Sequence, residues 1–442
     1  MINQDGLSGF RESLEVIPGG TQLFSKRPEL FSPTNWPTYY SKANGISVTA
    51  LDGKKYLDMS NMGVGSCILG YADKDVNKAI IKILKKGIQS TLIAEEEMQL
   101  ANVLLNIHPW AQMVRYARSG GEAVSLAIRI ARVATGKDVV LFSGYHGWND
   151  WYLAANLGDS DNLEKVLLPG LSARGVPQGL KGSAVPFGFN ELEQFKNAAE
   201  KNSGKIAAVV MEPRRSEIAQ PGFLEFIREY CSKNGIVLIF DEITTGWRMH
   251  EGGIHLSGSV LPDLAVFAKA FANGHAMSAV IGKSEVMKFA SESFISSTNW
   301  TERVGLVAAI ATIKKYKQEN VGIHISNIGE KVTAGWLEIA KNSALEIEAE
   351  NGGLASLSHF TFLYPESRGM NIFFCNRMLE LGWLAHNQLK PSLAHTTSHV
   401  SRYLDDVSVV FMEISKLIES ENKIFKELST KFPAPSIPRL TK

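Results

Sequence analysis

Two residues of this chain have the types and the spacing for one kind of chemistry. Asp241 follows the apolar run Ile236-Val237-Leu238-Ile239-Phe240. Lys269 follows a second, Leu264-Ala265-Val266-Phe267-Ala268, 28 positions later (269 − 241). Short apolar runs bounded by polar residues read as buried parallel strands. Open α/β sheets place their chemistry at the C-terminal ends of such strands. An amine and a carboxylate at one sheet edge are what pyridoxal 5'-phosphate requires. The amine forms a Schiff base with the cofactor's aldehyde, and the carboxylate keeps the pyridine nitrogen protonated so that the ring accepts electrons. Singly, each residue has a plainer reading. Asp-Glu after a strand is common, and a lysine there is usually a solvated loop residue. The functional reading rests on the pair together with the segments that follow.

Three more segments lead to the same edge. Ser119-Gly120-Gly121-Glu122-Ala123 opens a helical pattern with apolar residues at Val124, Ala127, Ile128 and Ala131. Ser119 is a good N-cap, and Gly120-Gly121 lets backbone amides approach an anion closely. Free N–H groups at a helix N-terminus make a ready phosphate site, although the same sequence is also an ordinary helix start. The run Val139 to Ser143 leads to Gly144-Tyr145-His146-Gly147. Tyr145 there either stacks on a planar cofactor or packs on the core. Ala207 to Met211 ends in Glu212-Pro213-Arg214-Arg215. Glu212 is placed to orient a cofactor oxygen or a catalytic water. The arginines are placed to pair with it or with a substrate anion, at most one of them facing the site.

The elements that must position these residues follow from periodicity. From about 70 to 310 the chain alternates helix and strand patterns, the signature of a wound α/β sheet. Expected strands are 138–143, 206–211, 236–240, 264–268 and 278–282, and expected helices are 75–87, 94–107, 121–135, 190–202, 222–234 and 303–317. Before them the chain reads as irregular, with one hairpin turned by Asp52-Gly53. After them come a helix (329–341), a polar-alternating stretch (355–375), a long helix (403–427) and a Pro-rich tail, Pro433 to Pro438. The expected organisation is an N-terminal segment 1–65, a large α/β domain 66–317 and a smaller α+β domain 318–442.

Composition narrows the function. A formal net charge of +1 over 442 residues gives no electrostatic case for nucleic acid or an anionic membrane. Cys67, Cys231 and Cys375 are too few and too scattered for a disulfide framework or a metal site. The first residues carry no basic and apolar leader, and no apolar run approaches the roughly 20 residues of a membrane span. The expectation is a reduced, cytoplasmic protein that acts on small molecules without a metal.

Taken together, Ser119-Gly120-Gly121-Glu122-Ala123, Tyr145-His146-Gly147, Glu212-Pro213, Asp241-Glu242-Ile243-Thr244-Thr245-Gly246 and Pro262-Asp263-Leu264 through Lys269 resemble the class III aminotransferases of pyridoxal phosphate fold type I. The resemblance is closest to the glutamate-1-semialdehyde aminomutase branch. It implies a mostly parallel wound sheet with a smaller C-terminal domain, and a homodimer with shared active sites. It implies Lys269 as the Schiff-base lysine and proton carrier, and Asp241 as the partner of the pyridine nitrogen. Ile243 would press on the ring face opposite Tyr145. Ser119, Gly120 and Gly121 would hold the phosphate, Thr298 would reach the phosphate of the neighbouring subunit, and Glu212 would lie near the cofactor.

The chain departs from the branch at several points. Gly121 stands where a Thr or Ser is usual, so one hydroxyl donor is missing. Lys26, with Arg27 beside it, stands where an Arg binds the substrate carboxylate, and Lys390 stands where an acidic residue is usual. Arg214-Arg215-Ser216-Glu217 replaces small apolar residues and an Asn. These five cations tip the expectation towards intermolecular transfer to a polar, sugar-type or phosphorylated carbonyl compound. Intramolecular transfer of the aminomutase kind is the first rival. A cofactor-binding module without turnover is the second, and the intact Lys269, Asp241 and Glu212 argue against it.

Overall fold

The computed structural model describes residues 6–158, 163, 171–214, 217–350 and 352–433. Its contacts divide the chain into two compact units. One is Lys74–Gly322, and the other joins Met1–Asp73 to Ile323–Lys442.

The unit Lys74–Gly322 is built on a seven-stranded sheet in the order Met113–Ala117, Ser278–Gly282, Leu264–Phe267, Val237–Asp241, Ile206–Met211, Val139–Ser143, Ala184–Pro186. Ser278–Gly282 runs antiparallel to both neighbours, and the other pairings are parallel. The central strands are buried at every position, and apolar except at Ser143, Asp241 and Ser278, because both faces are covered. Val140, Phe142, Val210, Ile239 and Val266 pack with Ala123, Val124, Ala127 and Ile128 of the helix Gly120–Thr135. The alternate residues Leu141, Val209, Leu238 and Phe240 pack on the other side with Phe195, Phe223, Ile227 and Cys231. Each large side chain so buried contributes about 2 kcal/mol.

Parallel register sets where the strands end. Ser143 lies opposite Met211, Met211 opposite Phe240, and Asp241 opposite Val266. The loops after these four strands therefore leave from one edge, carrying Tyr145, Glu212, Asp241 and Lys269.

The expected strands are present within a residue or so. Two more, Met113–Ala117 and Ala184–Pro186, carry no apolar run long enough to announce them. The first holds Arg115 on an edge strand, and the second has three residues and ends in proline, which only an edge tolerates.

The second unit joins both ends of the chain. Trp383–Leu384 adds to the hairpin strand Lys55–Asp58 in parallel register, Trp383 opposite Leu57 and Leu384 opposite Asp58. Contacts thus divide the chain at 73/74 and 322/323, where composition suggested breaks near 65 and 317. The stretch read as irregular holds a helix, Gly6–Val16, which its glycines Gly6 and Gly9 hid. The alternating stretch 355–375 is a strand, Ser358–Phe362, followed by the start of the helix Ser367–Glu380. The long terminal helix is two, Thr397–Glu419 and Ile424–Lys431, broken where Glu421 takes φ 52°. Trp336, Phe360, Tyr403 and Phe411 centre this unit's core. The tail beyond Pro433 lies outside the described residues. Among those residues no helix is long and apolar enough to cross a membrane.

Candidate active site

Asp241 ends its strand at 2 % exposure, and both carboxylate oxygens are held. Oδ1 accepts from the Ile243 backbone N–H at 3.0 Å, and Oδ2 lies 2.8 Å from His146 Nδ1. The other ring nitrogen, Nε2, lies 3.1 Å from the Ser143 carbonyl. Both neighbours of the imidazole are acceptors. His146 was not singled out in the sequence. Its signal was a titratable side chain one residue past Tyr145, after the same strand.

Lys269 follows Leu264–Phe267 through Ala268, whose backbone is extended at φ −159°. Lys269 itself takes φ 51°, a left-handed conformation that costs a side-chain-bearing residue about 1 kcal/mol. That turn stops the strand and sends the half-buried amine to Thr244, where Nζ donates to Oγ1 at 2.9 Å. The Thr244 carbonyl accepts in turn from Arg248 Nε, 3.3 Å away.

Glu212 is buried at 5 %, and Oε2 accepts from the Tyr145 backbone N–H at 3.4 Å. Only a glycine fits at position 144. Its φ is 112°, and a Cβ there would lie 2.6 Å from Glu212 Oε2. The Tyr145 ring is 37 % exposed and stands edge-on to Tyr152, with centroids 5.8 Å apart.

The helix Gly120–Thr135 opens with a capping box, in which Ser119 and Glu122 satisfy each other's backbone N–H groups. The Ser119 hydroxyl also lies 3.1 Å from the Glu122 carboxylate. Gly120 has a packing reason beyond anion approach, since a Cβ there would fall 2.7 Å from Ile243 Cδ1. The N–H groups of Gly120 and Gly121 lie in the first turn and have no acceptor within the helix. Glu212, Tyr145, His146, Asp241, Ile243 and Gly120 thus form one chain of contacts.

Under this edge lies a polar cluster that the sequence reading did not assign. Glu242 is fully buried and accepts from Thr245 Oγ1 at 2.5 Å, and from the Nδ1 and backbone N–H of His255 at 2.7 and 3.0 Å. Trp110 Nε1 donates to His255 Nε2 at 3.0 Å, which fixes the hydrogen of His255 on Nδ1. Burial alone would raise the Glu242 pKa, but the hydrogen bonds from His255 and Thr245 outweigh it and hold the carboxyl below its usual range. His108, stacked on His255, is driven by burial down to about 4.

Thr298 opens an exposed 3-10 turn, Thr298–Thr301. Arg118, next to Ser119, holds that turn by donating from Nε to the Asn299 carbonyl at 2.6 Å. The expected substrate cations fall in different places. Arg214 is half-buried after Glu212-Pro213 and borders a hollow with Gln220, Glu225 and Ser259. Arg215 lies outside the described residues. Lys26, Arg27 and Lys390 belong to the other unit. Lys26 is exposed. Arg27 is buried at 5 % and paired with Glu29 at 3.0 Å, so a carboxylate of its own chain neutralises it. Lys390 Nζ donates to Asn61 Oδ1 at 2.6 Å and to Gln388 Oε1 at 3.2 Å.

These residues fit pyridoxal phosphate. Two unmatched N–H groups open the helix beside a loop glycine, Gly147, whose Cβ would lie 3.2 Å from the Gly121 Cα. Beside them the buried Asn149 Oδ1 has no hydrogen-bond partner among the described residues. Asp241 is buried and held by donors, as an anion facing a ring nitrogen must be. Lys269 would supply the amine.

Comparison with known proteins agrees. The model of a family described as aminotransferase class-III matches residues 32–357. The 3-aminobutyryl-CoA aminotransferase of Cloacimonas acidaminovorans is 31 % identical over 369 residues, 82 % of this chain and 84 % of the relative. The glutamate-1-semialdehyde 2,1-aminomutase of Methanobrevibacter smithii is 34 % identical over 315 residues, 69 % of this chain and 71 % of the relative. The solved structure of an omega-transaminase from Sphaerobacter thermophilus superposes with a TM-score of 0.79 at 25 % identity, covering 92 % of this chain and 97 % of that one.

Proposed function

The chain belongs to the class-III aminotransferase family, and on that premise we propose that it moves an amino group from an amino-acid donor such as glutamate to a polar aldehyde or ketone of sugar-type or phosphorylated character. It is a pyridoxal 5'-phosphate enzyme of fold type I. The cofactor supplies an aldehyde that takes up the amino group and a ring that accepts the charge left on the donor carbon. The residues of the chain do the rest. Lys269 Nζ is the amine that would hold the cofactor, and the base that would take up and return the proton of the donor carbon. Asp241, held by His146 and the Ile243 N–H, faces the ring nitrogen. Tyr145 and Ile243 bracket the ring, and Glu212 orients a cofactor oxygen or a water. Ser119, Gly120 and Gly121 receive the phosphate. A homodimer in which Thr298 reaches the neighbouring phosphate completes the site, in a cytoplasmic protein.

The observation that carries this reading is the contact chain from Glu212 through His146 and Asp241 to Gly120, with Lys269 three residues beyond Val266, the register partner of Asp241. Borohydride trapping and peptide mapping test it, and the label is expected on Lys269. A label on another lysine overturns the assignment. A screen of amino donors, read by absorbance of the bound cofactor and followed by carbonyl acceptors, then identifies the substrates. Arg214, directly after Glu212-Pro213, supports an acceptor that carries an anionic group. The aminomutase reading has its own support in the relative of that name at 34 % identity. Conversion of a single aminated aldehyde with no second substrate would decide for it.

A further inference from the structure

We propose that the carboxamide of Asn149 is a phosphate-binding group of this site, standing in for the side-chain hydroxyl absent at Gly121. The inference rests on the reading that the cofactor phosphate lies at the start of the helix Gly120–Thr135.

Three observations converge on Asn149. First, a Cβ built on Gly121 would lie 2.8 Å from Asn149 Oδ1. The carboxamide therefore fills the space that a serine or threonine side chain would occupy at 121. Second, Asn149 is the N-cap of the short helix Asp150–Leu153, yet its side chain makes no capping hydrogen bond. An Asn at an N-cap ordinarily bonds the second or third backbone N–H of the helix. Here that interaction is given up, and the side chain turns to the first turn of another helix. Third, Oδ1 is buried without a hydrogen-bond partner among the described residues. A buried polar atom left unmatched is costly, and it persists where a ligand supplies the match.

The polarity also fits. Phosphate oxygens accept, so the group facing them must donate. The other end of the carboxamide is likewise engaged by no hydrogen bond among the described residues, so a half-turn of the amide costs none and brings the Nδ2 hydrogens to the buried position. The backbone N–H groups of Gly120 and Gly121 point from the same turn. A neutral amide donor beside two N–H groups and a helix N-terminus makes a conventional phosphate cradle. Gly147, at φ 105°, lets the loop lie against Gly121 closely enough for Asn149 to reach it.

The test is binding of pyridoxal phosphate, and of pyridoxal without phosphate, to the apo-protein. Asn149→Ala is expected to weaken pyridoxal phosphate tenfold or more, as loss of a hydrogen bond to a charged group implies, and to leave pyridoxal unchanged. Adding Gly121→Ser to that variant places a hydroxyl in the vacated space and is expected to recover most of the loss. Wild-type affinity for pyridoxal phosphate in Asn149→Ala, or equal loss of both ligands, overturns the proposal. Gly121→Asp separates that failure from failure of the phosphate placement. A carboxylate at the helix start must repel phosphate, so an unchanged affinity there removes the placement itself. Recovery in the double variant excludes misfolding as the cause of the single variant's loss.

Discussion

At the scale of the residue, what distinguishes this site is how firmly its charged groups are held. A carboxylate facing a ring nitrogen is effective only while it stays ionised and oriented, and Asp241 has a donor on each oxygen. Asp241→Asn removes the charge and leaves the shape. We expect the half-reaction rate to fall by about three orders of magnitude with the cofactor still bound, because preorganised electrostatics is the largest catalytic term. A rate within tenfold of wild type in single-turnover absorbance would refute the role. His146→Leu removes one of the two donors and should cost about tenfold to a hundredfold, the value of one charge-assisted hydrogen bond. Its loss should lie clearly between wild type and Asp241→Asn. Arg27 teaches the opposite lesson. A cation in a promising segment is already paired with Glu29, two residues away.

At the scale of the element, the loops after the parallel strands are shaped by close approach. Gly144 is the clearest case, with φ 112° and no room for a Cβ beside Glu212. Gly144→Ala should destabilise the fold by about 2 kcal/mol or more, combining a left-handed penalty with displacement of a buried carboxylate. Glu212→Ala in the same chain should recover the steric part only, since the φ penalty remains. Full recovery in denaturant unfolding would mean that the backbone is relaxed there. The first helix of the site is capped from both sides by Ser119 and Glu122. Ser119→Ala should therefore lower stability by about 1 kcal/mol, whatever its effect on the cofactor.

At the scale of the whole molecule, buried histidines tie stability to pH. His108 and His386 are both lowered by burial to about 4. Their unfolded value is about 6.5. Between those values the unfolded chain binds protons that the folded chain does not. Stability is therefore fully present above about pH 6.5 and falls as pH drops towards 4, by up to about 1.4 kcal/mol per pH unit for each histidine. Replacing His108 by Gln should make the fall between pH 6.5 and 4.5 shallower by about one proton. Identical pH slopes for urea unfolding of the two proteins would count against this account. Assembly belongs to the same scale. If Thr298 reaches a neighbouring phosphate, sedimentation should find a dimer whose cofactor affinity drops on dilution, and a fully active monomer would refute it.

The sequence alone determined the α/β class, the five central strands, and the assignment of Lys269 and Asp241 to one sheet edge. Those features rest on local information. An apolar run covered on both faces needs no knowledge of its neighbours, and parallel register brings strand ends together wherever such runs alternate with helices. The edge strands Met113–Ala117 and Ala184–Pro186 escaped because an edge strand is half open to water and carries no continuous apolar run. Only the tertiary structure decided that His146 holds Asp241, 95 residues away in sequence, and that Lys269 meets Thr244. Only it placed Asn149 against Gly121, and Glu242 against His255 rather than at the reacting edge. In all but the last, one loop meets another across the sheet. The partner of a polar side chain there is set by where two separate strands end, which no local pattern of residues encodes.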